Sequence, residues 1–501
     1  MKQLRPHQTL ALDMLRASVK AGHKRIMLKA PVAFGKTLVA AVISRNTNDR
    51  RKSVWFVCDS ITLIDQTVES FYAEGCYDIG VIQADHPMTN FTKHLQICSV
   101  QTIQRRPVLP AIPNVMLIDE AHCKSTWLLE LLERPEWANV LVIGLSATPW
   151  AKGLGNTYTD LIMPCSMKDL IATINPDSGK PYMSPYRIFS PGYIDGMEAK
   201  VRKLKTKMTR MGMDYDENGQ AEILGTDELV ADIVETWKAQ AEGRATLAFC
   251  VDRAHAAKIQ ARFLQAGIGW GYIDGFTERH ERKEIKRQLD AGEIKGVSSV
   301  DAMVKGIDWA FGALIWARFT KSKMLLVQGD GRGLRMNQWD DLLIFDHAGN
   351  HNRLGFPCDI DALITTLDTS KPGEKSETQP DVKPEALPKE CPKCHFLKPP
   401  KVRECPQCSF VPTKESKIEE RDGVLVEQRS RVVEMENFYR GALFYARSKG
   451  KQDGWAWHLT QEKFGTAPRN TSSLSPVKPT PEVLGFIQHR NIRRAKGRKA
   501  A

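Results

Sequence analysis

Two adjacent carboxylates, Asp119 and Glu120, directly follow a run of four apolar residues, Val115–Ile118. Such a run is typical of a short strand that is buried on both faces of a parallel sheet. Open parallel sheets bind their ligands at the carboxyl ends of the strands. There, one carboxylate could hold Mg²⁺ through its water ligands while the other orients or deprotonates an attacking water. The pair therefore suits ATP hydrolysis, although a solvated turn or the start of a helix would explain the same two residues.

A candidate phosphate-binding loop lies nearer the amino end. Residues 25–28 predict a strand, the following loop ends in Gly35-Lys36-Thr37, and residues 38–44 predict a helix. In this arrangement backbone N–H groups face the phosphate, the Lys36 ammonium reaches the β- and γ-phosphates, and the Thr37 hydroxyl binds Mg²⁺.

Two alanines depart from the usual composition of such a loop. Ala30 and Ala33 stand where glycines are usual. A positive φ at either position would cost alanine about 1–2 kcal/mol. A chance occurrence of Gly-Lys-Thr therefore remains an alternative to a phosphate site.

Two alternating series of predicted strands and helices are available to position these residues. The first series lies at residues 25–28, 38–44, 54–58, 61–71, 95–100, 127–132 and 140–145. The second lies at residues 229–239, 246–251, 254–264, 271–273, 278–289, 297–300, 313–317 and 342–345. This spacing predicts two doubly wound α/β domains, at residues 1–170 and 225–368. Residues 171–224 are predicted to connect them, and their basic stretch at 200–210 is either a nucleic-acid-facing insertion or a solvated helix.

Length and charge limit the class of protein. At 501 residues the chain is too long for one core, so several domains are expected. The formal net charge of +12 and the pI near 9.1 favour a polyanionic partner. The first residues do not resemble a signal peptide, and no apolar run is long enough to span a membrane. We therefore expect a cytoplasmic location, in a bacterial or phage-infected cell, and no membrane partner.

The second α/β domain has no phosphate loop of its own, but it contains Arg332 and Arg335 shortly after Gln328. Two arginines three residues apart at a helix start would lie near one face. Facing ATP on the other domain, they could neutralise the charge of the transferred phosphate. Two ordinary surface arginines are the alternative.

In their order along residues 1–355, these motifs resemble the superfamily 2 helicases of the DEAH-box type, which have two tandem RecA-like lobes. The resemblance implies that ATP and Mg²⁺ bind between the lobes, with Thr37 and Asp119 holding the metal. It assigns nucleotide binding to Gln8, Pro31, Ala33, Phe34, Gly35, Lys36, Thr37, Gly306 and Asp308. It assigns catalysis to Asp119, Glu120, His122, Gln328, Arg332 and Arg335.

The resemblance also implies a nucleic-acid path across both lobes. Gln101, Thr102 and Arg105, with residues 63–66, fall at motifs that grip the nucleic-acid backbone, although helix capping would also explain Gln101 and Thr102. Ser146 and Thr148 fall at the motif that couples hydrolysis to movement. The strings at 144–149 and 331–335 look most like those of bacterial and phage DNA-repair helicases of the RadD and UvsW kind.

A cysteine cluster follows a predicted flexible linker at residues 369–390, which is rich in charged residues and proline and has no aromatic residue. The four cysteines are Cys391, Cys394, Cys405 and Cys408. Two Cys-Pro-X-Cys pairs can present four thiolates tetrahedrally, which predicts structural Zn²⁺ in a ribbon at 391–412. A ribbon this small has almost no core, so the metal must supply its folding energy. Free thiols or a redox pair are the alternatives.

Residues 430–501 are predicted to form a helical and basic region. A predicted helix at 434–446 is rich in aromatic residues, which either stack on bases or form a small helical core. Residues 490–499 include six basic residues and predict a disordered, phosphate-binding tail. Protein partners could bind through the ribbon or the tail.

These observations together predict an ATP-dependent DNA helicase or translocase that acts on single-stranded or branched DNA in repair, recombination or phage replication. An RNA helicase is the alternative among enzymes. An ATP-gated adaptor that recruits partners through the ribbon is less favoured, because a pure binder has no need of Glu120, Arg332 and Arg335 together. The motor subunit of a restriction complex is a third alternative, but the sequence contains no nuclease constellation.

Overall fold

The computed structural model divides the chain into two compact units, Met1–Val426 and Glu427–Ala501. It describes residues 2–58, 64–84, 86–106, 109–123, 125–190, 201, 203–209, 212–217, 219–220, 227–300, 309–370, 389–390, 397–398, 426–428, 431–468, 471 and 474–497. Some residues with predicted roles lie outside these ranges, namely Leu63, Gly306, Asp308, Cys391, Cys394, Cys405 and Cys408.

The first lobe is a parallel sheet with helices packed on both faces. Its strands are β1 (Arg25–Lys29), β2 (Val54–Cys58), β3 (Ile79–Ile82), β4 (Leu95–Ser99), β5 (Val115–Ile118), β6 (Leu141–Ser146) and β7 (Asp160–Ile162). Its helices are α1 (Pro6–Lys20), α2 (Lys36–Asn48), α3 (Ile64–Ala73), α4 (Val100–Arg105) and α5 (Thr126–Glu133). The strand order is β3-β4-β2-β5-β6-β1-β7, and neighbouring strands are parallel. The predicted doubly wound first lobe is confirmed.

Alternating side chains of the central strands bury both faces of this sheet. Leu117 of β5 packs into one apolar cluster with Ile143, whereas its neighbour Met116 packs into another cluster with Val142. Successive side chains of a strand point to opposite faces, so a continuous apolar run fits a strand covered on both sides. The carboxyl end of β5 therefore places Asp119 at the edge of the sheet.

The second lobe is a similar α/β sheet. Its strands and the adjoining hairpin are β8 (Tyr186–Ser190), β9 (Thr206–Thr209), β10 (Gly212–Tyr215), β11 (Thr246–Cys250), β12 (Trp270–Ile273), β13 (Gly296–Ser299), β14 (Ala313–Ala317) and β15 (Leu342–Asp346). Its helices are α6 (Met167–Ala172), α7 (Asp227–Gln240), α8 (Arg253–Gln265), α9 (Arg279–Asp290), α10 (Lys323–Asp330), α11 (Asn350–Leu354) and α12 (Pro357–Ala362). Six strands of this sheet follow the order β12-β13-β11-β14-β15-β8, with neighbours parallel. The prediction of two tandem lobes is confirmed.

Residues 171–224 contribute more structure than a connecting segment would. β8 pairs with β15 and so belongs to the second sheet. In the basic stretch, β9 pairs antiparallel with β10, so the expectation of a solvated helix is wrong for residues 206–209. Asp214 in β10 is buried and accepts hydrogen bonds from the Arg318 guanidinium (3.1 Å) and the Thr320 hydroxyl (3.0 Å). These bonds dock the hairpin on the second lobe.

Buried polar contacts tie the lobes together where the chain crosses between them. Lys29, the last residue of β1, places its Nζ 3.0 Å from Oδ1 of Asp361 in α12, and both side chains are at most 4% exposed. The other Asp361 carboxylate oxygen accepts from the Met167 backbone N–H at 3.0 Å. After α12 the chain returns to the first lobe, where Asp368 accepts from the Gly153 N–H at 3.0 Å.

Two very short strands, β16 (Lys389–Glu390) and β17 (Leu397–Lys398), pair antiparallel near the predicted ribbon. They bracket residues 391–396, which contain the first cysteine pair. A third short strand is β18 (Val426–Gln428). No helix within the described parts of the chain is long and apolar enough to cross a membrane.

The carboxyl-terminal unit contains the helices α13 (Arg431–Ser448), α14 (Asp453–Phe464) and α15 (Pro481–Gly497). Phe438 and Tyr439 of α13 are each 3% exposed and pack with Leu459 and Val483 of the other two helices. These aromatic residues therefore form a small helical core rather than an exposed base-stacking surface. The prediction of a disordered tail is wrong for residues 490–497, because α15 continues to Gly497.

Candidate nucleotide-hydrolysis site

The phosphate loop joins β1 to α2, and its helix begins earlier than the sequence indicates. α2 starts at Lys36 rather than Leu38. Lys36 and Thr37 therefore lie in the first turn, whose N–H groups have no carbonyl partner inside the helix and can bind an anion. A tight turn precedes them, in which the Phe34 N–H donates to the Pro31 carbonyl at 3.1 Å.

One of the two alanines in this loop occupies a strained conformation. Ala33 has a φ of 63°, in the left-handed region, whereas Ala30 does not have a positive φ. The cost at Ala33 is about 1–2 kcal/mol, and residues held in such conformations often cluster at functional sites. Gly35, with a φ of 88°, supplies the second left-handed residue of the loop.

Gln8 holds the loop against α1. Its Nε2 donates to the Phe34 carbonyl at 2.8 Å, and its Oε1 accepts from the Arg5 N–H at 2.9 Å. A Cβ on Gly35 would lie 2.4 Å from Gln8 Nε2, so only glycine fits there. The amide of Gln8 thus bonds to the phosphate loop itself, and its role in reading adenine stays a prediction.

Lys36 meets the acidic pair across the carboxyl edge of the sheet. Its Nζ lies 2.8 Å from Oε1 of Glu120 and 3.9 Å from Oδ1 of Asp119. Burial disfavours the ammonium, but the two carboxylates outweigh it and raise the pKa of Lys36. Burial likewise disfavours the charged Glu120, yet the Lys36 ammonium, with a smaller contribution from Arg332, lowers its pKa to about 2. Both groups are therefore charged at neutral pH.

Glu120 has an unusual backbone and an available oxygen. Its φ is 46°, which a non-glycine residue seldom adopts. This conformation turns the residue out of the line of β5. Glu120 Oε2 is buried, lies 3.4 Å from His122 Nδ1 and makes no hydrogen bond within the described residues. A buried carboxylate oxygen of this kind is suited to accept a hydrogen bond from a water molecule that attacks phosphate.

A hydrogen-bond network connects the acidic pair to the second lobe. Gln328 Nε2 donates to His122 Nε2 at 3.2 Å and to the Thr148 hydroxyl at 3.0 Å. We therefore assign the His122 proton to Nδ1, which donates to the Ser146 hydroxyl at 2.8 Å. Ser146 Oγ also accepts from the Thr148 N–H at 3.0 Å. The predicted catalytic His122 and Gln328 and the predicted coupling residues Ser146 and Thr148 thus form one buried cluster.

Arg332 and Arg335 do not lie at a helix start, as the sequence suggested. Helix α10 ends at Asp330, and both arginines follow it in an irregular segment. The Arg332 guanidinium is close enough to Glu120 to help lower the pKa of its carboxyl, although Lys36 contributes more. The segment also packs on the phosphate loop, because a Cβ on Gly331 would lie 2.6 Å from Val32 Cγ1. The segment that contains Arg332 therefore faces the phosphate loop from the other lobe.

A buried ion cluster fixes the helix from which this segment emerges. His351 lies between two carboxylates, with Nε2 3.0 Å from Asp330 and Nδ1 2.8 Å from Asp346. Burial opposes protonation of His351, but the two carboxylates raise its pKa to about 10. Trp316 Nε1 donates to the other oxygen of Asp330 at 2.8 Å. The end of α10 is thus anchored on strands β14 and β15.

The candidate nucleic-acid residues lie at the same edge of the first sheet, beyond β2. Gln101, Thr102 and Arg105 are in α4, and the Thr102 hydroxyl accepts from the Ala84 N–H at 3.3 Å. Gln101 Oε1 accepts from the Ser99 hydroxyl at 2.7 Å. Neither residue is the N-cap of α4, so the capping alternative does not describe them.

Several well-placed residues were not predicted from the sequence. Lys29 and Asp361 form the buried pair between the lobes, and Asp65 and Arg279 form another ion pair between them. Phe276, in the turn after β12, is 80% exposed. An exposed aromatic residue in a turn rich in polar residues is a signal that the sequence offers, whereas pairs separated by hundreds of residues leave none.

Residues 1–151 match the family described as "Type III restriction enzyme, res subunit". The chain is 24% identical over 378 residues to a "51.5 kDa protein" of a Lactococcus phage (isolate 7-9), which covers 74% of this chain and 75% of that protein. It is 30% identical over 369 residues to the "Putative ATP-dependent helicase IRC3" of Saccharomyces cerevisiae, covering 68% of this chain and 50% of the yeast protein.

Two solved structures match parts of this chain at low sequence identity. One is the "ATP-dependent Type ISP restriction-modification enzyme LlaBIII bound to DNA", with 17% identity and a TM-score of 0.48 over 68% of this chain and 27% of that chain. The other is the Hef helicase domain of Pyrococcus furiosus, with 14% identity and a TM-score of 0.42 over 70% of this chain and 98% of that chain.

Proposed function

We propose that this chain, an ATP-dependent hydrolase of the superfamily 2 helicase type, couples ATP hydrolysis between its two lobes to movement along, or unwinding of, DNA. The observation that carries this proposal is the hydrogen bond from Gln328 to His122. It connects the second lobe directly to the residue that follows the acidic pair by two positions. A change at the γ-phosphate can therefore alter the contact between the lobes.

In the proposed hydrolysis, the γ-phosphate competes with Glu120 for Lys36. Lys36 lies 2.8 Å from Glu120 and is the nearest cation that holds the pKa of that carboxyl low. When Lys36 turns to the phosphate, Glu120 becomes a stronger base and its buried Oε2 accepts the proton of the attacking water. Mg²⁺, held by Thr37 and Asp119, would neutralise phosphate charge. Arg332 adds a second positive charge from the other lobe.

The proposed movement follows from the same contacts. Gln328 donates to both His122 and Thr148, so it holds the lobes in one relative position. Loss of the γ-phosphate removes the common partner of Lys36 and Arg332 and favours separation of the lobes. Repeated closing and opening would shift the grip of each lobe on a nucleic-acid strand that crosses the carboxyl edges of both sheets.

DNA is the proposed nucleic acid, and repair, recombination or phage replication the proposed setting. The support is the net charge of +12 and the resemblance of the motif strings to DNA-repair helicases of the RadD and UvsW kind. The remaining predicted roles, including adenine reading by Gln8 and nucleotide contacts by Gly306 and Asp308, belong to this proposal. An RNA helicase or an ATP-gated adaptor would show a different dependence of ATPase activity on nucleic acid.

The test compares ATPase activity without nucleic acid and with single-stranded DNA, branched DNA or RNA, alongside displacement of a labelled strand. The proposal expects stimulation by DNA and ATP-dependent displacement or translocation. Stimulation by RNA alone would replace it with an RNA helicase. ATP-dependent binding without turnover would favour the adaptor and contradict the proposal.

Zinc in the ribbon at 391–412 is a further part of the proposal. Four thiols are the donor set that structural Zn²⁺ prefers. The antiparallel pairing of β16 with β17 supports it, because these two strands directly flank the segment that contains Cys391 and Cys394 in the sequence. The four ligands leave no open coordination position, so the metal supplies folding energy rather than catalysis.

We expect one tightly bound zinc ion per chain in protein purified without chelator. Replacing Cys391 and Cys394 together by serine should remove that zinc and leave ATPase activity intact, because the predicted linker at 369–390 separates the ribbon from the lobes. The measurement is metal analysis by mass spectrometry, beside ATPase assays of both proteins. Protein that contains no zinc would rule out the ribbon.

A further inference from the structure

The turn between β12 and α9 presents an aromatic side chain to solvent. Phe276 is 80% exposed, the largest exposure among the bulky apolar side chains of the described residues. The Arg253 guanidinium lies 4.0 Å from the ring centroid and covers one face of the ring. The other side of this stack is open. A single exposed apolar side chain is common on protein surfaces, but this ring is also covered on one face by a cation and held in a fixed turn.

The turn that carries Phe276 is rigid. The Asp274 carboxylate accepts from the N–H groups of Phe276 and Thr277, each at 2.9 Å. The Arg253 guanidinium lies 2.9 Å from the second Asp274 oxygen, which fixes the cation over the ring. Arg282 donates to the Asp274 carbonyl at 2.7 Å. Phe276 is therefore held in place before any ligand arrives, which lowers the entropic cost of binding.

Three residues beyond Phe276, Arg279 pairs with Asp65 of the first lobe, 214 residues away in the chain. The Arg279 side chain is 63% exposed and that of Asp65 is 39% exposed, so solvent and ligands can reach both. Asp65 also accepts from His86 Nε2 at 3.0 Å, since His86 Nδ1 accepts from the Met88 N–H at 3.1 Å. The Asp65 carboxylate thus occupies Arg279 in the way that a phosphate oxygen would.

The ion pair between Asp65 and Arg279 lies where a nucleic-acid strand would cross from one lobe to the other. Asp65 follows β2 and His86 follows β3, both at the carboxyl edge of the first sheet. Phe276 follows β12 and Arg253 follows β11, at the carboxyl edge of the second sheet. The nucleotide residues lie on the strands β1, β5 and β6 of the same first-lobe edge. The contact between Asp65 and Arg279 therefore lies on the part of this edge that ATP does not use.

We propose that this turn is a subsite for an unpaired nucleobase and its phosphate: Phe276 stacks on the base, and Arg279 exchanges Asp65 for the adjoining phosphate. The inference rests on the proposed function, to which it adds the class of substrate and the residues that select it. It predicts a preference for single strands, because the bases of a duplex are stacked on each other and cannot reach Phe276.

The charges around the turn favour the base beside Phe276 and the phosphate beside Arg279. A surface cleft of about 600 Å³ runs beside Phe276 and is lined in part by Glu281 and Glu284. These carboxylates repel phosphate but not the flat face of a base. The base therefore fits on the cleft side of the turn, and the phosphate fits on the side of Arg279.

The test measures binding by fluorescence anisotropy with labelled oligothymidylate, oligouridylate, an abasic oligodeoxynucleotide and a blunt duplex. Phe276→Ala should weaken oligothymidylate binding about 5- to 150-fold, the usual effect of losing one base–aromatic stack. It should not change binding of the abasic strand. Phe276→Trp should restore affinity. The oligouridylate arm shows whether the same subsite also accepts ribonucleotides.

Arg279 and Asp65 are tested by the dependence of affinity on salt. Arg279→Ala should reduce the slope of log affinity against log salt by about 0.7 on a single strand, the value of one phosphate contact. Asp65→Asn keeps an acceptor for His86 but removes the competing charge, so it should tighten binding up to about fivefold. The double variant should behave like Arg279→Ala, because Asp65 then has no cation to compete for.

Tyr77→Ala is the matched control, because Tyr77 is 74% exposed and precedes β3 at the opposite edge of the first sheet. It should bind all four probes as the wild type does. The subsite is excluded if Phe276→Ala loses the abasic strand equally, or if Arg279→Ala leaves the salt slope unchanged. Wild-type protein that binds no nucleic acid would contradict the proposed function itself. Binding that is unaffected by these variants would contradict only the subsite.

Discussion

Replacing Arg332 by alanine is expected to lower kcat for ATP about a thousandfold, within the range seen when an arginine that neutralises a transferred phosphate is removed. Arg332 follows the end of α10 and acts electrostatically on both Lys36 and Glu120. Since the arginine belongs to the lobe opposite the phosphate loop, its effect should fall on turnover more than on ATP binding. The measurement is steady-state ATPase activity in saturating nucleic acid, together with the Kd of a fluorescent ATP analogue.

The control for this variant is Arg187→Ala. Arg187 is also an arginine of the second lobe. Its side chain is 44% exposed and pairs with Asp341, which directly precedes β15. Its removal changes the net charge equally but should leave kcat within about twofold, because Arg187 lies at the amino end of β8, away from the carboxyl edge of the sheet. Loss of its surface ion pair should cost at most about 1 kcal/mol of stability. Arg332→Ala with more than a tenth of wild-type turnover would show that the arginine does not stabilise the transferred phosphate.

Glu120→Gln is expected to reduce ATP turnover at least a hundredfold, which is the usual size of a general-base contribution. The amide cannot accept the proton, although it keeps nearly the same shape beside Lys36. ATP should still bind, because Lys36, Thr37 and Asp119 are unchanged. The variant should therefore remain in an ATP-bound state on nucleic acid, which filter binding with a slowly dissociating complex can detect.

Lys36→Ala provides the contrast, since it should abolish turnover by weakening ATP binding instead. It removes the phosphate contact and leaves Glu120 without its nearest cation, 2.8 Å away. A titration with labelled ATP separates the two variants: the Kd should rise for Lys36→Ala and stay close to wild type for Glu120→Gln. If Glu120→Gln retains more than about a hundredth of wild-type ATPase activity, Glu120 is not the base.

Much of the fold was predictable because it depends on local patterns. The apolar runs at β2, β5 and β14 have the length of buried strands, and the structure places strands at those positions. The Gly-Lys-Thr sequence after a strand predicted the start of a helix, although α2 begins two residues earlier than expected. Short sequence patterns were therefore enough to identify both the phosphate loop and the acidic pair of the first lobe.

The errors arose where structure depends on distant partners. β8 belongs to a sheet because it pairs with β15, more than a hundred residues later, and nothing in its own sequence states that partner. The hairpin of β9 and β10 is docked by Asp214, whose partners Arg318 and Thr320 are equally remote. Arg332 was expected at a helix start because sequence spacing cannot show that α10 ends at Asp330.

The buried pair of Lys29 and Asp361 limits how this protein can be divided. Each lobe carries one member, and both charges are almost fully removed from solvent. A hybrid protein that lost one member of the pair would keep the other charge buried without its partner, and such a loss typically costs about 3–5 kcal/mol. One lobe therefore cannot be exchanged for that of a related protein without regard to this pair. A chimaera that takes one lobe from a relative must take a matching acid or base with it.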